Sequence, residues 1–394
     1  MNRRPVRVLV IEELTACSDT WPDAAETMKQ EAAAMVIAVL QDLAQIAGCQ
    51  PLVLLCVESA TQLIRDGKLP ASSEVQQNHG STCQWMSAAG VFAESVDYVL
   101  LIAPESDGIL VQRLAQLAEP PWAHVCVLNC DGKLAELFSD KHLTALWLQE
   151  HGLPGIPCFV ADDHGYATVI STKRAAAAKS GASDSGQAST LGLSNSVVVM
   201  KPRDGAGCDR VTICDGEFSE LLDASRRDAF ADGMWLVQPF VDGIFLSAAM
   251  IGRGEEAPPL LLPAGEQIIQ AGTGTPVYCG GRIPAAAEIV AAVNSILQQI
   301  AECLPVFRGW LGVDLVATRS FSGEMIIRVV ELNPRLCTSY VGYRRAVGIS
   351  VADWIPNLAT RTRFHADVNS TAFLANGDAG RVQGGERETG TADC

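Results

Sequence analysis

The chain has 394 residues and a formal net charge of −16, and 48% of its residues are hydrophobic. That charge argues against a nucleic acid as partner, because binding to a phosphate backbone depends on dense Lys and Arg. The hydrophobic content is too high for a disordered chain, and no apolar run reaches the ~18 residues that a membrane span needs. We therefore expect a cytoplasmic protein of roughly two to three domains, with no membrane partner, that acts on small molecules.

The first part of the chain alternates short apolar strands with amphipathic helices. Strands are predicted at 7–11, 52–57, 96–102 and 123–128, and helices at 24–47 and 109–117. Such alternation favours a parallel sheet covered by helices, so we expect an α/β domain over residues 1–135. No GxGxxG motif follows the first strand, which argues against a dinucleotide-binding domain.

A second block is predicted over residues 136–240. Its elements are a helix at 140–151, strands at 197–200 and 210–213, and a glycine-bearing turn at 203–208 between those strands. The helix stops at Gly152 before Pro154, a common way for a helix to end. The Ala/Ser/Gly-rich segment 172–195 is low in large apolar residues, and we expect it to be a mobile surface insertion.

A third block is predicted over residues 241–364. Strands are expected at 235–240, which leads into this block, and at 246–251, 312–317 and 324–332, with a helix at 285–303. The residues beyond it, 365–394, are polar and rich in glycine. We expect this segment to be a disordered tail without chemistry of its own.

The turn after Lys201 has the composition of an anion-binding loop. Asp204, Gly205 and Gly207 lie between two predicted strands, and glycines let backbone N–H groups crowd around an anion. A lysine leaving the first strand would add a point charge for phosphate. A plain β-hairpin with a glycine turn explains the pattern equally well, and the GxxxxGK[ST] of a P-loop is absent.

A carboxylate and a Glu-x-Asn pair lie on two neighbouring predicted strands. Asp314 is on the first, and Glu331 and Asn333 are two residues apart on the second, so alternation places the latter two on one face. The short connection 319–323 predicts an antiparallel pair. Apolar neighbours mark both strands as buried, which disfavours a solvated face. Buried carboxylates need a compensating charge, and a metal ion supplies one. Such oxygen ligands suit Mg²⁺, with Mn²⁺ as an alternative.

Two arginines and one link complete the candidates. Arg282 and Arg335 lie in loops marked by Gly or Pro, where arginine suits a carboxylate or a transferring phosphoryl group, although a structural salt bridge is the simpler alternative. The link after the strand at 235–240 could offer backbone groups to a purine, with Asp242 near a ribose. The residues of this link are Gln238, Pro239, Phe240 and Val241.

Taken in order along residues 96–360, these segments resemble the ATP-grasp superfamily. Ser139-Asp140-Lys141 resembles the start of the helix whose lysine contacts nucleotide phosphates, and Lys201 with the turn 204–207 resembles the phosphate lysine and the flexible glycine loop. Residues 238–241 resemble the adenine hinge, with Gln238 where many members have glutamate. Asp314, Glu331 and Asn333 resemble the metal triad, and Glu-x-Asn-Pro-Arg is the most specific signature.

Three longer segments narrow the resemblance. Residues 102–110 (IAPESDGIL), 278–284 (YCGGRIP) and 333–342 (NPRLCTSYVG) are similar to the tyramine–glutamate ligase group of methanofuran biosynthesis. Bacterial members of that group resemble proteins of methylofuran-dependent one-carbon metabolism. The resemblance implies an N-terminal parallel-sheet pre-ATP-grasp domain followed by two α+β subdomains that enclose the nucleotide.

The implied activity is ATP- and Mg²⁺-dependent joining of a carboxylate, expected to be glutamate, to an amine through an acyl phosphate. Arg282 and Arg335 are then the expected catalytic arginines, acting on the transferring phosphoryl group or the substrate carboxylate. The alternatives left open are a ligase for another acid and amine, such as a dipeptide or a pterin-glutamate, and a nucleotide-binding scaffold without turnover. A homodimer is one of the assemblies left open.

Overall fold

The computed structural model describes residues 4–78, 89–90, 92–161, 167–170, 197–215, 234–270, 274–355, 371–376 and 379–381. These residues form three β-sheets with helices packed between and beside them, which confirms the α/β class. The insertion expected at 172–195 lies outside the described residues. No helix in the described part of the chain is long and apolar enough to cross a lipid bilayer.

The first sheet is parallel and has the strand order β3-β2-β1-β4-β5. Its strands are β1 (Val6–Glu12), β2 (Cys49–Cys56), β3 (Glu74–Asn78), β4 (Tyr98–Ile102) and β5 (Cys126–Val127). Its helices are α1 (Glu26–Ala44), α2 (Val57–Arg65) and α3 (Ile109–Leu117). The central strands are continuous apolar runs because both faces of a parallel sheet are covered. The loops after β1 and β4 therefore meet at the same edge of the sheet.

The second sheet has the order β7-β6-β10-β8-β9, with antiparallel neighbours. Its strands are β6 (Cys158–Ala161), β7 (Ala167–Ile170), β8 (Val197–Pro202), β9 (Thr212–Asp215) and β10 (Trp235–Pro239). Two helices precede it, α4 (Gly132–Ser139) and α5 (Lys141–Glu150). We call this second sheet the lid sheet. The chain enters it at β6 and leaves it at β10, and these two strands are hydrogen-bonded neighbours.

The third sheet has eight strands in the order β16-β15-β11-β13-β14-β17-β18, with β12 beside β11. Its strands are β11 (Ile244–Arg253), β12 (Leu260–Leu261), β13 (Gly265–Gln270), β14 (Val277–Ile283), β15 (Arg308–Arg319), β16 (Met325–Asn333), β17 (Thr371–Leu374) and β18 (Ala379–Arg381). Helix α6 (Ala287–Cys303) packs on one face, and helix α7 (Tyr340–Val347) on the other. We call it the large sheet.

Strands β17 and β18 correct one expectation. The segment 365–394 was expected to be disordered, yet 371–374 pairs with β14 and 379–381 pairs with 371–373. Phe373 is 3% exposed and packs against Gly342 of α7, where an added Cβ would lie 2.4 Å from its ring. A four-residue strand carries too weak a pattern to be recognised in a polar context, because partner strands rather than intrinsic preference stabilise it.

Candidate active site

Two buried lysines meet one buried carboxylate between the lid sheet and the large sheet. Lys201 Nζ on β8 lies 3.5 Å from Glu331 Oε2 on β16, and Lys141 Nζ at the start of α5 lies 3.6 Å from the same oxygen. Burial lowers the pKa of Lys201, which Glu331 partly offsets. Burial alone would raise the pKa of Glu331, but the lysines and Arg335 lower it below its usual value. The three groups form a charged cluster with an excess of positive charge.

The start of α5 fixes the position of Lys141. The Asp140 carboxylate accepts hydrogen bonds from the backbone N–H groups of residues 142 and 143, so it caps the helix, and it also pairs with the Arg203 guanidinium. The Lys141 backbone N–H donates to the Arg203 carbonyl at 2.8 Å, and its Nζ donates to the Gly205 carbonyl. The lysine is thus held against the glycine loop as well as against Glu331.

The glycine loop is the connection of a β-hairpin, since β8 and β9 are antiparallel neighbours. The structure confirms the hairpin, and the anion-binding role of the loop stays a prediction; Lys141 contacts the loop through the Gly205 carbonyl. A Cβ on Gly205 would lie 2.7 Å from the Pro202 ring, and Gly207 has a φ of 61°, which favours glycine. The Asp204 carboxylate accepts a hydrogen bond of 2.8 Å from the backbone N–H of Asp107, in the loop after β4. The loop tip is thereby bound to the first domain.

The expected metal residues share one face of the large sheet. Asp314 lies opposite Glu331 in the β15–β16 ladder, and Asn333 is two residues further on. Asn333 Nδ2 donates to Asp314 Oδ2 at 2.9 Å, and Gln267 Nε2 donates to Asp314 Oδ1 at 3.0 Å. Burial and the neighbouring Glu331 raise the pKa of Asp314 to about 7. Two amide groups therefore donate to the Asp314 carboxylate, and an additional cation at this position would compensate its charge.

Arg335 follows strand β16 and forms an ion pair with Glu105 of the first domain. Its Nε lies 2.8 Å from Glu105 Oε2, in the loop after β4. Burial alone would lower the pKa of Arg335, but Glu105 more than offsets this and raises it. The other oxygen of Glu105, Oε1, is buried without a hydrogen-bond partner among the described residues. The salt bridge considered for Arg335 exists, and it places the guanidinium beside Asp314 and Glu331.

The structure does not bring Arg282 to this cluster. Arg282 pairs with Glu266 on β13, which pairs with Leu246 on β11, which in turn pairs with Leu315 on β15. Residues paired across strands share a face of the sheet, and this face packs against α6. Asp314 lies on the opposite face, and the Arg282 side chain is exposed. The expectation that both arginines serve the same cleft is therefore wrong for Arg282, because strand register decides which way a side chain points.

The expected adenine hinge links the lid sheet to the large sheet. Gln238 is 4% exposed, Phe240 donates its backbone N–H to the Val197 carbonyl at 3.0 Å, and Asp242 is exposed. Pro239 is the last residue of β10 and is half-buried, as is Val241. The link is thus an edge of the cleft with a buried amide side chain at one end and an exposed acid at the other.

Four residues that the individual motifs did not single out also lie around the cleft. Thr338 Oγ1 donates to Glu31 Oε2 at 3.1 Å, which brings helix α1 to the loop after β16. Burial, Glu31 and Asp314 together raise the pKa of Tyr278 well above its usual value. The sequence did contain a signal for Tyr278, Thr338 and Glu105, since they lie in the segments 278–284, 333–342 and 102–110 that resemble tyramine–glutamate ligases. Glu31 lies in a helix that only periodicity predicted, and nothing marked it.

Comparisons with known proteins agree with this geometry. A family model of the ATP-grasp domain matches residues 138–339. The crystal structure of an ATP-grasp superfamily protein from Archaeoglobus fulgidus is 20% identical and covers 94% of this chain and 92% of that chain, with a TM-score of 0.61. N5-carboxyaminoimidazole synthetase from Staphylococcus aureus, solved with ADP, is 14% identical, with coverages of 95% and 82% and a TM-score of 0.58.

A third similar structure is the biotin carboxylase domain of 2-oxoglutarate carboxylase from Hydrogenobacter thermophilus, solved with MgADP, ADP and bicarbonate. It is 14% identical and covers 94% of this chain and 74% of that chain, with a TM-score of 0.60. Identities this low establish similarity of fold alone. No match was found among curated protein sequences. Because the family model spans just over half of the chain and its limits enclose both lysines and the whole triad, the protein belongs to the ATP-grasp family.

Proposed function

We propose that the protein is an ATP- and Mg²⁺-dependent ligase that joins a carboxylate to an amine through an acyl phosphate. The observation that carries the proposal is the meeting of Lys141 and Lys201 with Glu331 beside Asp314 and Asn333. Two buried ammonium groups suit the phosphates of a nucleoside triphosphate, and two carboxylates and an amide suit its metal ion. Family membership supports ATP as the phosphoryl donor.

The lysines and the glycine loop would hold the phosphates. Both lysines are less than a tenth exposed, so their interaction with phosphate is weakly screened by solvent. In the present arrangement Lys141 Nζ donates to the Gly205 carbonyl and both ammonium groups share one carboxylate oxygen. A bound phosphate would supply the negative charge that Glu331 alone only partly provides.

The residues present fit a magnesium ion. The described residues contain no cluster of three His, Cys, Asp or Glu that could hold a metal by itself, so the ion would depend on Asp314, Glu331, Asn333 and nucleotide phosphate oxygens. Asn333 commits its Nδ2 to Asp314, which leaves its amide oxygen for a ligand role. When bound, Mg²⁺ would neutralise charge on the phosphate oxygens.

Activation of the acid would depend on positioning and electrostatics. Arg335 carries a permanent charge beside Asp314 and Glu331, where it can orient the substrate carboxylate or the transferring phosphoryl group. The nearby thiols do not suggest a covalent enzyme intermediate. Burial raises the pKa of Cys208 to about 11 and that of Cys337 to about 12, so both remain protonated at neutral pH.

The substrates we propose are glutamate and a primary amine such as tyramine, in the synthesis of a methanofuran- or methylofuran-type one-carbon cofactor. The support is that residues from all three segments similar to tyramine–glutamate ligases lie around one cleft. Glu105 of the first segment contacts Arg335 of the third, and Tyr278 of the second lies near Asp314. Another acid and amine, or a scaffold without turnover, are the outcomes that compete with this proposal.

A screen of ADP release over pairs of acids and amines tests the proposal. The acids include glutamate, other amino acids and bicarbonate, since one similar structure was solved with that anion. The amines include tyramine, tyrosine and further amino acids. We expect ADP to appear only when a matching acid and amine are both present, with a new amide in equal amount. Failure of every pair would favour the scaffold, and success of an unrelated pair would refute the substrates.

A matched pair of variants ties turnover to the site. Lys201→Met should reduce turnover by on the order of 100-fold or more, since it removes a charge that stabilises the transferring phosphoryl group. Lys133→Met, at an exposed position in the first turn of α4, should leave turnover unchanged. Equal activity in both variants would contradict the assignment of the site.

A further inference from the structure

Glu31 brings a carboxylate from the first domain to the catalytic cleft. It lies on α1, is half-buried, and accepts a hydrogen bond of 3.1 Å from Thr338, five residues beyond Asn333. Arg335 is close enough to lower its pKa, and Glu31 in turn raises the pKa of Tyr278. The Glu31 carboxylate therefore lies on the side of the cleft that faces the first domain, next to the groups assigned to phosphoryl transfer.

The Glu31 carboxylate lacks the basic partner that several nearby carboxylates have. Three other buried carboxylates around α1 and the cleft each have one: Glu331 with Lys201, Glu105 with Arg335, and Asp42 with Arg344. Within the described ranges, Glu31 forms no ion pair, and its one hydrogen-bond donor is a neutral hydroxyl. Burial raises its pKa, and Thr338 and Arg335 offset this only in part. A cation supplied by a ligand would compensate this charge.

Two further groups belong to this part of the cleft. Tyr278 presents a phenol that stays neutral, and an aromatic ring beside a carboxylate favours a bound cation. Glu105 Oε1 is buried without a hydrogen-bond donor in the described part of the chain, although Glu105 is only 3% exposed. Thr338 donates to Glu31, Tyr278 lies near enough for Glu31 to raise its pKa, and Arg335 acts on both Glu31 and Glu105. We call Glu31, Thr338, Tyr278 and Glu105 together the acidic subsite.

We propose that the acidic subsite binds the amine substrate as its ammonium ion and that Glu31 is the residue that holds this group. Glu31 would accept one proton from the ammonium, so that the free amine can attack the acyl phosphate, form the amide and release phosphate. The inference rests on the proposed function, because it assigns one of the two substrates of that reaction to a place. A primary ammonium has three donors, and the Glu31 carboxylate has acceptor lone pairs that its hydrogen bond from Thr338 does not use. The acid and the phosphates would occupy the other side, where Lys141, Lys201 and Arg335 carry positive charge.

Replacing Glu31 should separate use of the amine from activation of the acid. We compare wild type, Glu31→Gln and the control Glu26→Gln, an exposed position five residues earlier on the same helix. In Glu31→Gln we expect the KM for tyramine to rise on the order of 10- to 100-fold, the usual loss for a hydrogen bond to a charged group. Hydroxamate formation from acid, ATP and hydroxylamine should stay within about threefold, because hydroxylamine is neutral near pH 7 and needs no ammonium site. Glu26→Gln should match wild type.

The proposal would be overturned by an unchanged KM for tyramine in Glu31→Gln. It would equally be overturned if hydroxamate and amide formation fell together while the melting temperature was preserved. Should Glu31→Gln fail to fold, Glu31→Asp keeps the charge and should raise the KM for tyramine by a smaller factor. An Asp variant with no change in KM would also reject the role of Glu31.

A binding measurement distinguishes failure of this inference from failure of the proposed function. Calorimetry should show that the wild type binds tyramine more tightly than its neutral alcohol analogue, in which a hydroxyl replaces the ammonium, and that Glu31→Gln reduces this difference at least tenfold. If no acid yields ADP or hydroxamate, the proposed function fails, and this comparison still decides whether Glu31 binds ammonium. Equal binding of both compounds to the wild type would refute the acidic subsite.

Discussion

Removal of the carboxylate between the two buried lysines should destabilise the protein in a way that depends on pH. Glu331→Gln leaves the ammonium groups of Lys141 and Lys201 without the oxygen that lies 3.6 and 3.5 Å from them. At an effective dielectric constant of ~20, each of these attractions amounts to about 4–5 kcal/mol before desolvation is counted. Breaking a buried ion pair by removing one partner usually costs about 3–5 kcal/mol. We expect a loss of about 3 kcal/mol at pH 7.

The pH dependence follows from Lys201, whose pKa burial already lowers. Without Glu331 this pKa should fall further, so the unfolded state of the variant binds more protons than the folded state. Stability of the variant should then increase as the pH rises from about 7 to 9.5, because deprotonation of Lys201 in the folded protein becomes easier. The difference from wild type should therefore be largest at low pH and shrink towards high pH.

Urea unfolding of Glu331→Gln at pH 6, 7, 8 and 9.5 measures this effect, with Glu324→Gln as the control. Glu324 is exposed, so its substitution should change the free energy of unfolding by less than about 0.5 kcal/mol. ADP, added with EDTA to exclude metal ions, should raise the free energy of unfolding of the Glu331 variant by at least as much as that of wild type. The reason is that the phosphates of ADP replace the lost negative charge. A loss below 0.5 kcal/mol, or one that does not vary with pH, would refute the reasoning.

Three more predictions concern single sites. Burial raises the pKa of Glu12 to about 7, so its contribution to the free energy of unfolding should fall by about 3 kcal/mol as the pH rises from 4.5 to 7. Over this range the free energy of unfolding of Glu12→Gln should decline less than that of wild type, and equal declines would contradict the prediction. Gly243→Ala should lower the free energy of unfolding by about 1–3 kcal/mol, since its Cβ would lie 2.4 Å from the Ala317 carbonyl oxygen, whereas the unobstructed Gly132→Ala should not. Arg282→Ala should keep ligase kcat/KM within about threefold, and a loss of 100-fold would show that the exposed guanidinium reaches the substrates.

The sequence predicted the parts of the site that depend on local pattern. Asp140 and Lys141 open α5 as expected, because a capping side chain and a following apolar stripe are visible in the sequence. The pairing of Asp314 with Glu331 followed from two apolar strands and a short connection. The glycine turn after Lys201 was also found, although its docking onto the first domain was not predictable.

The parts that were missed depend on long-range register and packing. The face of Arg282 depends on its pairing with Glu266 and on the pairing of Glu266 with Leu246, and no local pattern marks these registers. Glu31 is one polar residue on an amphipathic helix, and periodicity says which face is buried but not what the polar boundary contacts. The ion pair of Glu105 with Arg335 joins residues 230 positions apart. Such contacts become visible only after the sheets are assembled.

The adjacent entry and exit strands of the lid sheet have a mechanical consequence. Cys158 begins β6 and Pro239 ends β10, and the pairing of Phe159 with Val237 places these two ends side by side. The two chain connections of the lid sheet therefore lie side by side, and rotation about them would leave the hydrogen bonds between the strands within each sheet intact. Contacts away from this line oppose rotation. They include the ion pairs of the lysines with Glu331, the hydrogen bond of the loop tip to the turn at Asp107, and the two backbone hydrogen bonds between Ile213 of β9 and Gly274 before β14. Opening of the lid sheet for nucleotide entry would then require these contacts to break, and the same contacts would slow the release of ADP.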